Sequence, residues 1–251
     1  MTARESPAQW GGRPAAGSGA RTALITGASK GLGFALARYL ASRHYRLVID
    51  ARSERELSSA AAELAEVTTV TAVTGDVRDE AHRAALVEAV GDELDLLVNN
   101  ASDLGVTPLP PLVQYDLERF RQVFEANVFA PLALVQATLP ALFNGHGLVV
   151  NLSSDAARGG YPGWGAYGAS KAALDLVGLT LANELQGVTV VNVDPGDMRT
   201  DMHQAAFPGE DIGDRKLPQE TLPFWAGLFE QTTNSLNGKR LEAQAEVWES
   251  A

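Results

Sequence analysis

The sequence predicts one α/β domain: a parallel sheet of six to seven strands, doubly wound, with helices on both faces. Three observations predict it. From Arg21 onward, short runs rich in Val, Leu and Ile alternate with longer stretches of helical period, the rhythm of βαβ units. Most of the runs are nearly continuous in apolar residues, as strands covered on both faces are; half-exposed strands alternate instead. The 251 residues suffice for one large α/β domain, and no linker divides the strands.

Residues 1–20 are rich in Gly, Ala, Pro and Ser with one aromatic, Trp10, and read as a flexible tail, too poor in apolar surface to offset the entropy of ordering. The domain then runs over 21–251. Strand 22–26 leads to helix 32–43, which follows Gly31 directly. Strand 46–51 precedes helix 54–65, strand 68–74 precedes helix 79–90, and strand 94–99 precedes a long helix over 116–143 with a kink expected at Pro131. Strand 147–153 leads to helix 165–186, and strand 188–194 to a Gly/Pro-rich stretch and helix 219–235. A terminal strand is only weakly marked.

The charges narrow the partners. With 31 acidic and 20 basic side chains the net charge is −11, and no Lys/Arg run suits nucleic acid. There is no cysteine, hence no disulfide or thiolate chemistry, and the four histidines lie too far apart to mark a metal site. The N-terminus lacks the apolar core of a secretory signal, and no run approaches the ~18 uninterrupted apolar residues of a membrane span, so the expected compartment is the cytoplasm.

The chemistry gathers at strand ends. The first strand opens into Thr26-Gly27-Ala28-Ser29-Lys30-Gly31-Leu32-Gly33 and a helix. Glycines there admit a pyrophosphate, and the helix N-terminus offers amide donors to the anion. The strand-turn-helix context is what gives this loop weight. The second strand ends Asp50-Ala51-Arg52-Ser53. Neighbouring side chains point to opposite faces, so Asp50 and Ala51 cannot both meet an adenosine, whereas Arg52 at the turn and Lys30 in the loop can. Two cations there suit a 2′-phosphate. Tyr167 and Lys171 share a helix face at i and i+4, and an ammonium beside a phenol favours the phenolate. Ser154 ends the fifth strand, where a hydroxyl can hold a substrate oxygen as charge develops.

Through these residues the chain resembles the short-chain dehydrogenase/reductase family, in its short single-domain, Rossmann-fold branch. The resemblance covers Arg21 to about Thr200. It rests on the glycine motif, Asp76, Asn99-Asn100-Ala101, Asn127, Ser154, Tyr167 with Lys171, and Pro195-Gly196. It implies that Tyr167 is the acid/base, that Ser154 holds the carbonyl oxygen, and that Lys171 holds the nicotinamide ribose and depresses the Tyr167 pKa. Asn127 would hold a water linking Lys171 to solvent. The implied cofactor is NADP(H), bound by Gly27, Ser29, Lys30, Gly31, Leu32, Gly33, Arg52, Asp76, Val77, Asn100, Ala101, Tyr167, Lys171, Pro195, Gly196, Met198 and Thr200. Asp50 falls one residue too early to bind the ribose. Two features depart from the family: Ser102 follows Asn-Asn-Ala where glycine is usual, and the segment from Asn237 to Ala243 is atypical.

The stretch 195–225 reads as a substrate lid. Tyr161, Trp164, Met202, Phe207 and Trp225 are candidates for a small-molecule pocket of apolar character. His203 in the lid is expected to be solvated, and His44, His82 and His146 receive no role. The expected activity is NADPH-dependent reduction of a ketone or aldehyde. The alternatives are an NADP-dependent alcohol dehydrogenase working oxidatively and a dinucleotide-binding regulator without turnover. The resemblance implies a homodimer through the two long helices, with a homotetramer as the alternative.

Overall fold

A computed structural model describes residues 20–230 and 235–245. All of the expected tail but Ala20, and the end of the helix expected over 219–235, lie outside these residues. The strands are β1 (Thr22–Ile25), β2 (Arg46–Ala51), β3 (Val70–Thr74), β4 (Leu96–Asn99), β5 (Leu148–Leu152), β6 (Thr189–Asp194) and β7 (Arg240–Glu242). They form one seven-stranded sheet in the order β3-β2-β1-β4-β5-β6-β7, every pair parallel. The terminal strand is present, pairing Val193 of β6 with Leu241.

The continuous apolar runs follow from two cores. Along β1 and β2, Ile25 and Ile49 face α1 (Gly31–Ser42) and α8 (Leu222–Glu230), while Leu24 and Val48 face α3 (Glu80–Val90) and α5 (Ala130–Asn144). A strand that buries both of its alternating faces needs apolar residues at every position. Each such side chain removed from water contributes roughly 1.5–3 kcal/mol. Two further helices, α2 (Glu54–Ala65) and α6 (Gly165–Glu184), complete the layers. The strand order turns at β1 and β4, which opens a crevice beyond their carboxyl ends.

The helix expected over 116–143 is interrupted upstream of the proline. Helix α4 (Leu117–Phe124) runs into a π turn, Glu125–Phe129, before α5 begins. Pro131 sits in the first turn of α5, where its missing N–H costs little. The stretch Leu117–Asn144 is long and apolar enough to cross a bilayer, but 56% of its most apolar part is buried inside the fold, as in a core helix.

The stretch expected to form a lid holds a helix that its glycines and prolines conceal, α7 (Asp201–Ala206), capped by Thr200 accepting from the His203 N–H at 3.2 Å. Trp225, expected in the substrate pocket, is a core residue instead. It is fully buried, meets Phe224 edge-on, and its indole N–H donates to Thr221 Oγ1 at 3.1 Å. An aromatic on the inner face of α8 buries more apolar surface against α1 than a cleft wall would offer.

Candidate active site

A cleft of about 770 Å³ lies beyond the carboxyl ends of the strands. The glycine loop forms one end. Thr26 Oγ1 accepts from the N–H groups of Asn100 and Ala101, each at 3.0 Å. Asn100 Nδ2 donates to the carbonyls of Thr26 at 2.8 Å and Gly27 at 3.0 Å. A Cβ on Gly33 would stand 2.5 Å from both Asn100 Nδ2 and the Gly27 carbonyl oxygen, so no larger residue fits there. Gly27, with φ +66°, is equally constrained, since its Cβ would lie 3.0 Å from Ala101 Cα. Gly27, Ser29, Lys30, Gly31 and Leu32 line the cleft, while Gly33 shapes the backbone behind it.

The first turn of α1 has no acidic residue and no side-chain cap, so its N–H groups face the cleft without an internal acceptor. Arg52, Asp76, Val77, Asn100 and Ala101 continue the wall. The Asp76 carboxylate meets the Arg78 guanidinium at 2.6 Å, which holds its pKa below the usual carboxylate range. Lys30 is held by Asp201 at 2.8 Å and Glu56 at 3.5 Å, and the Asp201 contact raises its pKa. A cation expected to be free for ligand is thus paired with the first turn of α7.

Asp50 turns inward. Its Oδ1 accepts from the Gly27 N–H at 2.7 Å, and its Oδ2 lies 2.9 Å from His82 Nε2, both side chains being buried. His82, to which the sequence assigns no role, is thus the buried partner of Asp50. The readable signal was an acid inside a buried apolar strand, which requires a partner.

The opposite end carries the reactive groups. Tyr167 and Lys171, one turn apart on α6, both line the cleft. Lys171 Nζ donates to the Leu152 carbonyl at 2.7 Å and lies 5.5 Å from the Tyr167 ring centroid. Burial lowers the Lys171 pKa to about 8, against the pull of Asp175 and Asp194. The expected lowering at Tyr167 is not found: burial pushes its phenol well above the ordinary value, opposed by the nearby hydroxyls of Ser154 and Ser102. Ser154 Oγ donates to Asp155 Oδ1 at 3.0 Å and accepts the Ala156 N–H at 3.1 Å. Its carbonyl accepts from Arg240 Nη2 at 2.8 Å, and the same guanidinium pairs with Asp194 at 2.9 Å and Asp175 at 3.1 Å.

Asn127, in the π turn, is fully engaged. Its Oδ1 accepts from Ser102 Oγ at 3.1 Å and the Asp103 N–H at 2.7 Å; its Nδ2 donates to the Asp103 carbonyl and Ser170 Oγ, each at 2.9 Å. Arg119 clamps the Asp103 carboxylate at 2.6 and 2.7 Å.

On the lid side, Pro195, Met198, Thr200 and Met202 line the cleft, and Gly196 lies behind it. Trp164 packs on Tyr167 at 5.8 Å and on Phe207 at 5.9 Å. Tyr161 is half-exposed beside Asp155. His203 is buried rather than solvated, its ring 4.9 Å from that of Phe207. Among the described residues no cluster of His, Asp or Glu could hold a metal ion.

A family model for short chain dehydrogenase matches residues 21–211. The oxidoreductase YIR035C of Saccharomyces cerevisiae is 34% identical over 212 residues, 82% of this chain and 81% of its own. Sulfoacetaldehyde reductase 2 of Chromohalobacter salexigens is 35% identical over 214 residues, 81% of this chain and 82% of its own. A short chain dehydrogenase from Shigella flexneri 2a, solved in complex with NADP, is similar with a TM-score of 0.80 at 30% identity, covering 89% of this chain and 97% of that one. The glycine loop at one end of the cleft, the tyrosine and lysine at the other and this likeness along the chain have one meaning: the protein is an oxidoreductase belonging to the short-chain dehydrogenase/reductase family.

Proposed function

We propose that this oxidoreductase is an NADPH-dependent reductase that converts a ketone or aldehyde to an alcohol, with Tyr167 as the proton donor. The observation that carries the reading is the single cleft that joins an uncapped helix N-terminus to a buried Tyr167–Lys171 pair. The residues present fit a dinucleotide: the first turn of α1 offers amide donors, and Gly27 and Gly31 line the cleft beside it without side chains. When bound, the nicotinamide supplies the hydride.

The chain supplies the rest. Ser154 holds the carbonyl oxygen, Tyr167 gives it a proton, and the Lys171 ammonium supports the phenolate that remains. A Tyr167 held above its ordinary pKa is protonated near neutrality, as a proton donor in reduction must be. Asn127 has no side-chain capacity left for water. Its main-chain carbonyl lacks an i+4 donor because Pro131 has no N–H, and that oxygen is the one we assign to the water.

The choice of NADPH rests on β2. Asp50 is spent on Gly27 and His82, so it offers no carboxylate to a ribose hydroxyl, and Ala51 beside it is neutral. Arg52 and Lys30 remain, and a 2′-phosphate would draw Lys30 from Asp201 and Glu56. The NADP in the Shigella flexneri relative agrees with this choice. Exposed Leu117, Phe129, Leu176 and Leu179 on α4, the π turn and α6 support the homodimer reading.

The test follows nicotinamide absorbance with a panel of ketones, aldehydes and secondary alcohols, NADPH against NADH, with Tyr167→Phe as control. Turnover with NADPH that disappears in the control is expected. Turnover with NADH alone, or turnover that survives in Tyr167→Phe, overturns the reading.

A further inference from the structure

We propose that Arg240 is a positioning residue for the reaction: its guanidinium holds the main chain of Ser154 in a fixed place against the helix that carries Tyr167 and Lys171. The proposal rests on the reductase reading above and adds to it a side chain from the last strand. Arg240 lies within the segment Asn237 to Ala243, where the sequence departs from its family.

One planar group meets three elements. Arg240 Nη2 donates to the Ser154 carbonyl at 2.8 Å, just after β5, and to Asp194 Oδ2 at 2.9 Å, at the end of β6. Its Nε donates to Asp175 Oδ2 at 3.1 Å, one turn beyond Lys171 on α6. Asp194 in turn takes the Gly196 N–H at 3.0 Å, next to Pro195 in the cleft wall. The Ser154 carbonyl also accepts the Ala157 N–H at 3.0 Å, so both of its lone pairs are engaged and its orientation is set. The Arg240 and Asp194 side chains are both buried.

A three-residue strand at the edge of the sheet does not need this arrangement to stay in place. Leu241 and Ala243 already pack on the core that α1 and α8 cover, and a buried ion pair is often no more stabilising than apolar side chains of its volume. What the guanidinium adds is direction, because its rigid fork sets three hydrogen bonds in one plane and an ammonium cannot. Ser154 and Tyr167 must reach the same carbonyl oxygen, one from the end of β5 and the other from α6. An error in the distance between those elements therefore shows directly in the rate.

The test compares Arg240→Lys, which keeps the charge without the fork, with Glu242→Gln, which alters the exposed outer partner of the same guanidinium at 3.2 Å. Arg240→Lys is expected to bind NADPH as the wild type does and to lower kcat about tenfold, with the KM for the best carbonyl of the panel little changed. Glu242→Gln is expected to leave both constants unchanged. Asp175→Ala, which removes the α6 side of the brace, should lower kcat in the same sense, and it decides the matter if Arg240→Lys does not fold. Wild-type kcat in Arg240→Lys or in Asp175→Ala overturns the proposal. So does a rate loss matched by weaker NADPH binding or by an equal loss in Glu242→Gln, either of which makes Arg240 a fastener of β7 only. If the wild-type protein turns over no carbonyl, the reductase reading fails separately, and hydrogen exchange then judges Arg240. The amides of Ala156 and Ala157 bond to Ser154 Oγ and to its carbonyl. They should exchange about tenfold faster in Arg240→Lys while those of α1 keep their rates, and unchanged exchange at both overturns the proposal.

Discussion

The two ends of the cleft are held together by different physics. At the glycine end, buried polar side chains grip the main chain itself. Asp50 takes the Gly27 N–H, Asn100 gives to two carbonyls, and Thr26 takes two amides. At the lid end the contacts are apolar or exposed: Trp164 against Phe207, half-exposed Met202, and ion pairs such as Lys30–Asp201 with more than half of each side chain in solvent. Main-chain grips define one backbone shape for a ligand common to many reactions. Apolar walls and solvated pairs leave room to change what is admitted.

The largest effect is expected at Lys171, at the end of the cleft opposite the glycine loop. Its folded pKa of about 8 is below the ordinary value near 10.4, so from pH 8 upward the unfolded chain binds a proton that the folded chain does not. Stability relative to Lys171→Met should therefore rise between pH 8 and about 10.4, by on the order of 3 kcal/mol. Denaturant midpoints measured across that range check it, and two parallel curves would refute the assignment.

A direct contrast of the two ends comes next. Asp50→Ala leaves the Gly27 N–H and His82 without their acceptor in a buried place, at a cost of about 1–3 kcal/mol, and should weaken dinucleotide binding at least about tenfold. Met202→Ala should cost less than about 0.5 kcal/mol and change only the KM for the carbonyl. Thermal melts with NADPH fluorescence titration compare the two variants. Equal losses would erase the distinction drawn between the ends.

The smallest effect sharpens the comparison. Asp201→Asn frees Lys30 from its strongest partner at little cost in stability, since exposed pairs contribute about 0–1 kcal/mol. NADPH should bind a few-fold tighter and NADH unchanged. A gain shared by both dinucleotides would place Lys30 away from the 2′-phosphate.

Sequence legibility follows the same division. Strand β2 and helix α2 lie where the sequence predicts them, because a run of apolar residues meets a Ser53 cap that accepts the Glu56 N–H. The glycine loop, Tyr167 and Lys171 were legible because spacing alone places them on one turn or one helix face. The π turn around Asn127 was not, since a shift from i+4 to i+5 bonding leaves no mark in side-chain period. Helix α7 has only six residues, too few to show a period among glycines and prolines. Trp225 and His203 were misplaced because an aromatic near a lid reads the same whether it faces a ligand or the core. The Asp50–His82 pair joins positions 32 residues apart, a proximity that only the sheet creates.

Arg240 gives the timing of assembly an unusual form. This one side chain, from the last strand, supplies the counter-charge to Asp194 and Asp175 and the donor to the Ser154 carbonyl. Every other reactive group precedes it in the order of synthesis. Until β7 pairs with β6, Asp194 and Asp175 lack this cation and the Ser154 carbonyl lacks this donor. Pairing of β7 with β6 is thus what brings together, from residues far apart in the sequence, the charge balance beneath the Ser154 backbone.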